Sequence, residues 1–248
     1  MISIIIATYN SGKTLNKCLD SILMQKLQDW ECILIDGVSN DNTLQVIDEY
    51  ERKDSRLSHI SEIDHGIYDA LNKGFKLAKG EWVYVLGSDD WLTYDGLYNL
   101  VQGAYAESGV VYGNIIVAYN NGLNRVIPPK KISNMRYYMA ISHQGVIVKR
   151  EEIIRIGGFD LRYKVKGDFN MIQTLYLKGV KFQYIDTNIN YSGMEGLSNK
   201  LSSLIKYDWE RYLINKRNHA NCIPLLSWFW IEFKTIVTTT RDIVLKRK

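Results

Sequence analysis

The sequence predicts an α/β fold: a mixed, mostly parallel sheet with helices on both faces. Three observations predict it. Short apolar, β-prone runs alternate with stretches whose apolar residues recur at helical spacing. Those runs lack polar alternation, the pattern of strands covered on both faces. Strands ending at Ala7 and Asp36 deliver polar residues to the same edge as Asp89 and Asp90, which follow a later strand. Right-handed crossovers between parallel strands bring consecutive carboxyl ends to one side. Open α/β sheets bind ligands along that edge.

Taken in order, residues 3–7 read as the first strand and residues 8–12 as a loop, with Ser11 placed to cap the next helix. In that helix Leu15, Cys18, Leu19, Ile22 and Leu23 share one face. Residues 31–36 form a second strand that ends on an acid. A turn-rich loop over residues 37–42 leads to a helix carrying Leu44, Ile47 and Tyr50 inward. Residues 57–60 suit a third strand, and residues 67–78 a helix with Ala70, Leu71 and Phe75 buried. Gly80 ends it. Residues 83–86 are a buried central strand, Gly87 turns the chain, and Ser88-Asp89-Asp90 follow.

Beyond residue 91 the pattern loosens. Residues 110–119 are strongly β-prone, Asn120-Asn121-Gly122 is a turn, and Pro128-Pro129 marks an extended link. Residues 143–148 and 180–185 suit strands. Residues 151–156 suit a helix ended by Gly157-Gly158, and residues 169–177 a helix that opens just after Asp168 and closes at Gly179. From residue 197 the chain reads as helical, with Leu201, Leu204, Ile205, Tyr207 and Trp209 packing.

Composition narrows the function classes. At 46% hydrophobic and 23% charged, the 248 residues suit a globular domain rather than a disordered chain. Three cysteines, Cys18, Cys32 and Cys222, have no metal-like spacing and suit a reducing compartment. Residues 1–6 run straight into a strand without a basic region, so no signal peptide is expected. No window resembles a membrane span. Residues 206–248 hold 9 Lys/Arg against 4 Asp/Glu, so the net charge of +4 belongs to the tail. A nucleic-acid binder needs a basic face on the folded domain, and none is expected. No G-x-G-x-x-G follows the first strand, and no P-loop motif exists.

Four blocks carry a resemblance: residues 3–10 (SIIIATYN), 33–41 (ILIDGVSND), 64–74 (DHGIYDALNKG) and 87–90 (GSDD). In order and spacing they resemble family 2 glycosyltransferases of the GT-A fold, over about residues 1–195. The resemblance implies a Rossmann-like nucleotide-diphospho-sugar transferase domain over residues 1–197. Residues 1–91 would be its nucleotide-sugar half and 92–197 its acceptor half, with a helical, basic and aromatic extension over 198–248. It further implies an inverting transfer from a nucleotide sugar.

By the same resemblance, Thr8 belongs to the nucleotide-sugar site, Tyr9 stacks on the base, and Asp36 accepts from a uracil imide N–H, which points to a UDP-sugar. Tyr9 also reads as a turn aromatic, and Asp36 as a helix cap or turn acid. Asp64 lies in the second donor segment. Lys73 either approaches the diphosphate or is a solvated helix lysine. Ser88-Asp89-Asp90 matches the D-x-D signature, with Ser88 in place of the first acid. Asp89 then lies near ribose or metal, and Asp90 is the firmest ligand of a divalent ion, Mn2+ or Mg2+. Asp168 matches the general base, although Gly167 stands where the family has Glu, and it also reads as an ordinary helix N-cap. Trp91 and His143 fall on the acceptor side, and His143 reads equally as a structural histidine. Residues 193–198 resemble a glycine-bearing loop that closes over donor.

Residues 224–233 are aromatic and apolar, and Lys234, Arg241 and Lys248 follow at seven-residue intervals. The pattern over residues 224–248 fits a helix lying on an anionic membrane surface, or one packed on the domain or on a second copy in a homodimer. The membrane reading fits a lipid-linked saccharide acceptor in bacterial surface-polysaccharide synthesis such as O-antigen or lipopolysaccharide, at the cytoplasmic face. Two rivals remain: a sugar-phosphate nucleotidyltransferase, which should carry a basic glycine-rich loop after the first strand, and a non-catalytic sugar-nucleotide-binding protein.

Overall fold

The computed structural model describes residues 1–119, 122–193 and 201–218. β1 (Ile2–Thr8), β2 (Trp30–Asp36), β3 (Leu57–Ser61) and β4 (Trp82–Val85) alternate with α1 (Leu15–Leu23), α2 (Thr43–Lys53) and α3 (Ile67–Leu77). These four strands are parallel, in the order β3-β2-β1-β4. β2 and β4 thus flank β1 on opposite sides, and the winding reverses at β1. Such a reversal opens a crevice at the carboxyl ends of the strands.

The second half comprises β5 (Trp91–Leu92), α4 (Gly96–Gly103), β6 (Val110–Ala118), β7 (Asn124–Ile127), β8 (Val146–Lys149), α5 (Arg150–Ile156), α6 (Gly167–Leu177), β9 (Phe182–Gly193) and α7 (Leu201–Arg217). It extends the sheet as β4-β8-β6-β9-β5, with β7 also paired to β6. β8 is antiparallel to β4 and β6, whereas β6 and β9 are parallel. The sheet is mixed and mostly parallel: β1, β2, β3, β4, β6 and β9 point one way and β5, β7 and β8 the other.

The sheet separates two cores. Ile2, Ile4 and Ile6 of β1 join Leu15, Leu19 and Ile22 of α1 and Ile47 of α2 on one face. Ile5 points to the other face, with Leu71 and Phe75 of α3, Ile153 of α5 and Phe169 and Leu175 of α6. This two-sided burial explains why β1 and β2 show no polar alternation. Among the described residues, no helix is long and apolar enough to cross a membrane.

Several local expectations are corrected. Residues 143–145 form a 3-10 turn and β8 starts at Val146, because Gly145 N–H donates to Ser142 O at 3.0 Å and Gln144 turns toward Asp90. Ser11 does not cap α1 through its side chain; its hydroxyl faces Ser88 Oγ at 2.9 Å. β9 runs from Phe182 to Gly193, well past residue 185, held by β6 and by the unforeseen β5. Trp209 is 57% exposed rather than packed inward, and its ring stacks on Tyr212. Cys18 and Cys32 are buried free thiols. Asn120 and Asn121, most of the 193–198 loop, the packing of Leu201, Leu204, Ile205 and Tyr207, Cys222 and the 224–248 tail lie outside the described residues.

Candidate active site

The carboxyl ends of β1 and β2 lie side by side, with Thr8 in register with Asp36. Asp36 is fully buried. Its Oδ1 accepts from Thr8 Oγ1 at 3.2 Å and Ser39 Oγ at 2.5 Å. Its Oδ2 accepts from Ser39 N at 2.9 Å and Ser61 Oγ at 2.8 Å. Burial alone would raise this carboxyl's pKa, but the bonds from Ser39, Ser61 and Thr8 outweigh it and hold the group below its usual range. The loops after β1 and β2 are laced together. Asn10 N donates to Ser39 Oγ, Asn40 N to Asn10 Oδ1, and Ser11 N to Thr43 Oγ1. Asn10 and Val38 in these loops have φ of 52° and 60°. For a β-branched valine this is strained backbone, held by its surroundings.

Tyr9 and Asp64 meet over Gly37: a Cβ there would fall 2.6 Å from Asp64 Oδ2 and 3.5 Å from the Tyr9 ring. Tyr9 is 65% exposed, so its ring offers an open face. Asp64 Oδ1 accepts from Gly66 N at 2.8 Å. Gly66 sits at φ 113° and ψ 173°, a conformation essentially restricted to glycine. Lys73 reaches back from α3 to Ile63 O at 2.8 Å and Glu62 Oε1 at 2.9 Å. It is therefore an engaged lysine that braces this loop, with its side chain 18% exposed.

After β4, the Asp89 and Asp90 carboxylates converge over Gly87, where a Cβ would lie 3.0 Å from Asp89 Oδ1 and 2.9 Å from Asp90 Oδ2. Gln144 Nε2 donates to Asp90 Oδ2 at 3.0 Å and to Ser192 Oγ at 2.8 Å. Trp91 stacks on Tyr191 at 5.3 Å, and Lys17 Nζ lies over the Trp91 ring.

Next to Gln144, His143 Nδ1 pairs with Asp168 Oδ2 at 3.1 Å. Asp168 is the second residue of α6, not the residue before it, and its Oδ1 accepts from Phe169 N at 2.8 Å and from Tyr68 Oη at 3.5 Å. Desolvation alone would lower the His143 pKa, but the bond to Asp168 and the charges of Asp168 and Asp90 hold it above its ordinary value. Desolvation would raise Asp168, yet His143 and Lys166 hold it below the usual carboxylate range. Tyr68 also fills the space beside Gly167, where a Cβ would fall 2.7 Å from the ring. The apolar hollow beneath the pair, walled by Val83, Val85, Val146 and Ile172, has a volume of about 20 Å³, room for one water and no sugar. Two titratable groups thus sit on the same edge as a converging diacid, and Gln144 and His143 connect them through adjacent residues.

A sequence profile described as Glycosyl transferase family 2 matches residues 3–165. The chain belongs to that family. A Mycobacterium tuberculosis relative named PGL/p-HBAD biosynthesis glycosyltransferase is 33% identical over 207 residues, covering 81% of this chain and 80% of its own. Glycosyltransferase GlyG of Streptococcus pneumoniae is 36% identical over 118 residues, 46% of this chain and 38% of its own. The S. aureus TarS 1–349 structure in complex with UDP-GlcNAc superposes with a TM-score of 0.72 at 19% identity, over 90% of this chain and 67% of that one. A Pyrobaculum calidifontis mannosyltransferase with GDP-Man and Mn2+ gives a TM-score of 0.70 at 19% identity, over 92% and 71%. The fold is GT-A.

In this glycosyltransferase every site residue expected from the sequence lies among the described residues. Thr8, Tyr9, Asp36 and Asp64 cluster at the ends of β1 and β2. Ser88, Asp89 and Asp90 follow β4, and Ser88 ties that loop to the β1 loop through Ser11. His143 and Asp168 pair with each other. Two carboxylates that bring oxygens together over Gly87 form an all-oxygen set that suits a hard divalent ion, so Asp89 and Asp90 fit that group. A separate group, Asp48, Glu51 and His59, belongs to α2 and β3 and is not part of this site. Sequence reasoning missed Ser39, Ser61, Gln144, Tyr68 and Lys17. Ser39, three residues after an acid in a loop, fits the side-chain-to-backbone turn pattern and was findable. Gln144 and Tyr68 lie inside motifs already singled out, but nothing local distinguishes them.

Proposed function

We propose that this glycosyltransferase transfers a sugar, with inversion, from a UDP-sugar to a hydroxyl of a lipid-linked saccharide, with Asp168 as general base. The observation that carries this reading is the His143–Asp168 pair at 3.1 Å, one residue removed from the Gln144 contact to Asp90. Tyr9 offers the base a stacking face, and Asp64 beside it offers an acceptor for the nucleoside. Asp36, saturated by four donors, engages a uracil N–H only if Thr8, its longest partner, turns away. Asp89 and Asp90 would hold Mn2+ or Mg2+, which supplies charge neutralisation at the diphosphate. Gln144 aims Asp90 meanwhile.

The acceptor oxygen attacks the anomeric carbon as the carbon–oxygen bond to the diphosphate breaks, and its proton passes to Asp168. His143 lowers the basicity of that carboxylate. This is tolerable because the hydroxyl grows acidic as it bonds to carbon. Attack opposite the leaving group turns an α-linked donor into a β-linked product. A relative named for PGL/p-HBAD biosynthesis supports the transferase reading, structures titled with UDP-GlcNAc or GDP-Man support a nucleotide-sugar donor, and the aromatic, basic pattern of residues 224–248 supports the lipid-linked acceptor.

The test is a panel of nucleotide sugars with and without Mn2+, scored for transfer to extracted lipid-linked saccharides. UDP-sugars should be used, metal should stimulate, and Asp90→Ala should abolish the stimulation. Transfer from GDP-sugars alone, or full metal-stimulated activity in Asp90→Ala, would overturn the donor or metal assignment respectively.

A further inference from the structure

Glu210 on α7 is a carboxylate with an unusual set of partners. It is buried, 6% exposed. Its Oε1 accepts from Lys164 N at 3.0 Å, and its Oε2 from Val165 N and Lys166 N, both at 2.9 Å. Three consecutive backbone N–H groups therefore end on one side chain. Buried backbone donors need partners, and charge-assisted bonds are the strong ones. The opposite side of the segment is held as well. Tyr68 Oη donates to Val165 O at 2.9 Å, and Lys164 Nζ reaches His65 O at 3.4 Å.

The clamped residues 164–166 run directly into Gly167 and Asp168 at the start of α6. Whatever fixes them fixes where the Asp168 carboxylate begins. Gly167 has no side chain to anchor the turn, and Tyr68 occupies the space a side chain would take. The anchoring comes from the far side, through α7. That helix is itself fastened to α6: Gln173 Nε2 donates to Asn215 Oδ1 at 2.7 Å, and Asn218 Nδ2 to Gln173 Oε1 at 2.8 Å. α7 lies beyond the matched residues 3–165, so the family profile does not cover it.

We propose that Glu210 is a positioning residue of the transfer reaction, clamping residues 164–166 so that Asp168 stays aimed at the acceptor hydroxyl, and that α7 is accordingly part of the catalytic unit. The proposal rests on Asp168 being the base. Reaction rates respond steeply to such aim, since displacements near 1 Å cost about 100-fold.

Hydrogen exchange and kinetics on the full chain test it. In Glu210→Gln, which keeps size but loses charge, exchange should rise selectively in peptides spanning residues 163–169. Turnover should fall about 10- to 100-fold with KM for the nucleotide sugar unchanged, and Glu210→Asp should recover part of it. A thermal shift with UDP and Mn2+ confirms a folded donor half, and if Gln unfolds the chain, Glu210→Asp carries both readouts. Placed on Asp168→Asn, Glu210→Gln should slow turnover no further, because the two act through one group. Unchanged exchange, unchanged turnover, or a full additional loss on Asp168→Asn would overturn the proposal. If Asp168→Asn itself transfers normally, the base assignment has failed instead, and the clamp's kinetic role fails with it.

Discussion

Two carboxylates in this glycosyltransferase are held by opposite means. Asp36, at the end of β2, is closed off by three hydroxyls and an amide and has no charged partner among the described residues. Asp168, at the start of α6, faces a histidine that can itself gain or lose a proton. Both are pushed below the ordinary carboxylate range. The first arrangement fixes a shape, because hydroxyl donors do not titrate. The second fixes a charge state, and it responds to pH and to a proton arriving from substrate.

Paired isosteric changes should separate the two most strongly. Asp168→Asn should lower turnover by about 100- to 10,000-fold while leaving UDP affinity near wild type. Asp36→Asn should do the reverse. An amide cannot accept all four donors, so it should cost about 2–3 kcal/mol of stability, read by denaturant unfolding, with weakened donor binding. If Asp36→Asn instead spares stability and kills turnover, the contrast drawn above is wrong.

A steric change sharpens it next. Gly167→Glu introduces the acid that the family resemblance implies at this position but drives a Cβ into the Tyr68 ring. Overpacking there should cost about 1–3 kcal/mol and slow transfer, and the same change should cost less on Tyr68→Ala than on wild type. An equal cost on both would mean that the clash lies elsewhere.

The smallest effect is on pH dependence, and it is lopsided. The ordinary histidine value is 6.5, and His143 lies above it. Its part of the ion pair is thus fully present below pH 6.5 and is lost as pH rises through the raised value. Asp168 and Asp36 start from 3.8 and lie below it, so their contributions are present above 3.8 and lost as pH falls through the lowered values. Acid should therefore loosen both regions and mild alkali only the Asp168 side. NMR titration of His143 should show this. Its midpoint should drop in Asp168→Asn, where the bond and charge of that carboxylate no longer hold the proton.

The same division governs what the sequence reveals. Asp36, Asp90 and the β1 loop are legible because parallel strands covered on both faces have a strong pattern, and their crossovers leave no choice of edge. The Asp168 side is less so. His143 reads as strand and is a turn, because the pull on Gln144 from Asp90 and Ser192 has no trace in local sequence. β5 is two residues long, too short for periodicity to register. Glu210 lies more than forty residues from the amides it holds, and nothing near it marks a clamp.

The brevity of β5 has a mechanical consequence. β5 ends the strand order, four places from β4, yet it follows β4 in the chain after one short loop. Four inter-strand spacings on a flat surface measure about 19 Å. Six peptide steps drawn fully taut from Val85 to Trp91 reach about 20 Å, and the loop is not taut, since Asp90 N folds back onto Gly87 O. The sheet must bend round until its last strand stands over its middle. Shortening residues 87–90 would use up the slack held in the Asp90-to-Gly87 turn and pull β5 nearer to β4, so the diacid loop doubles as the drawstring of the whole curl.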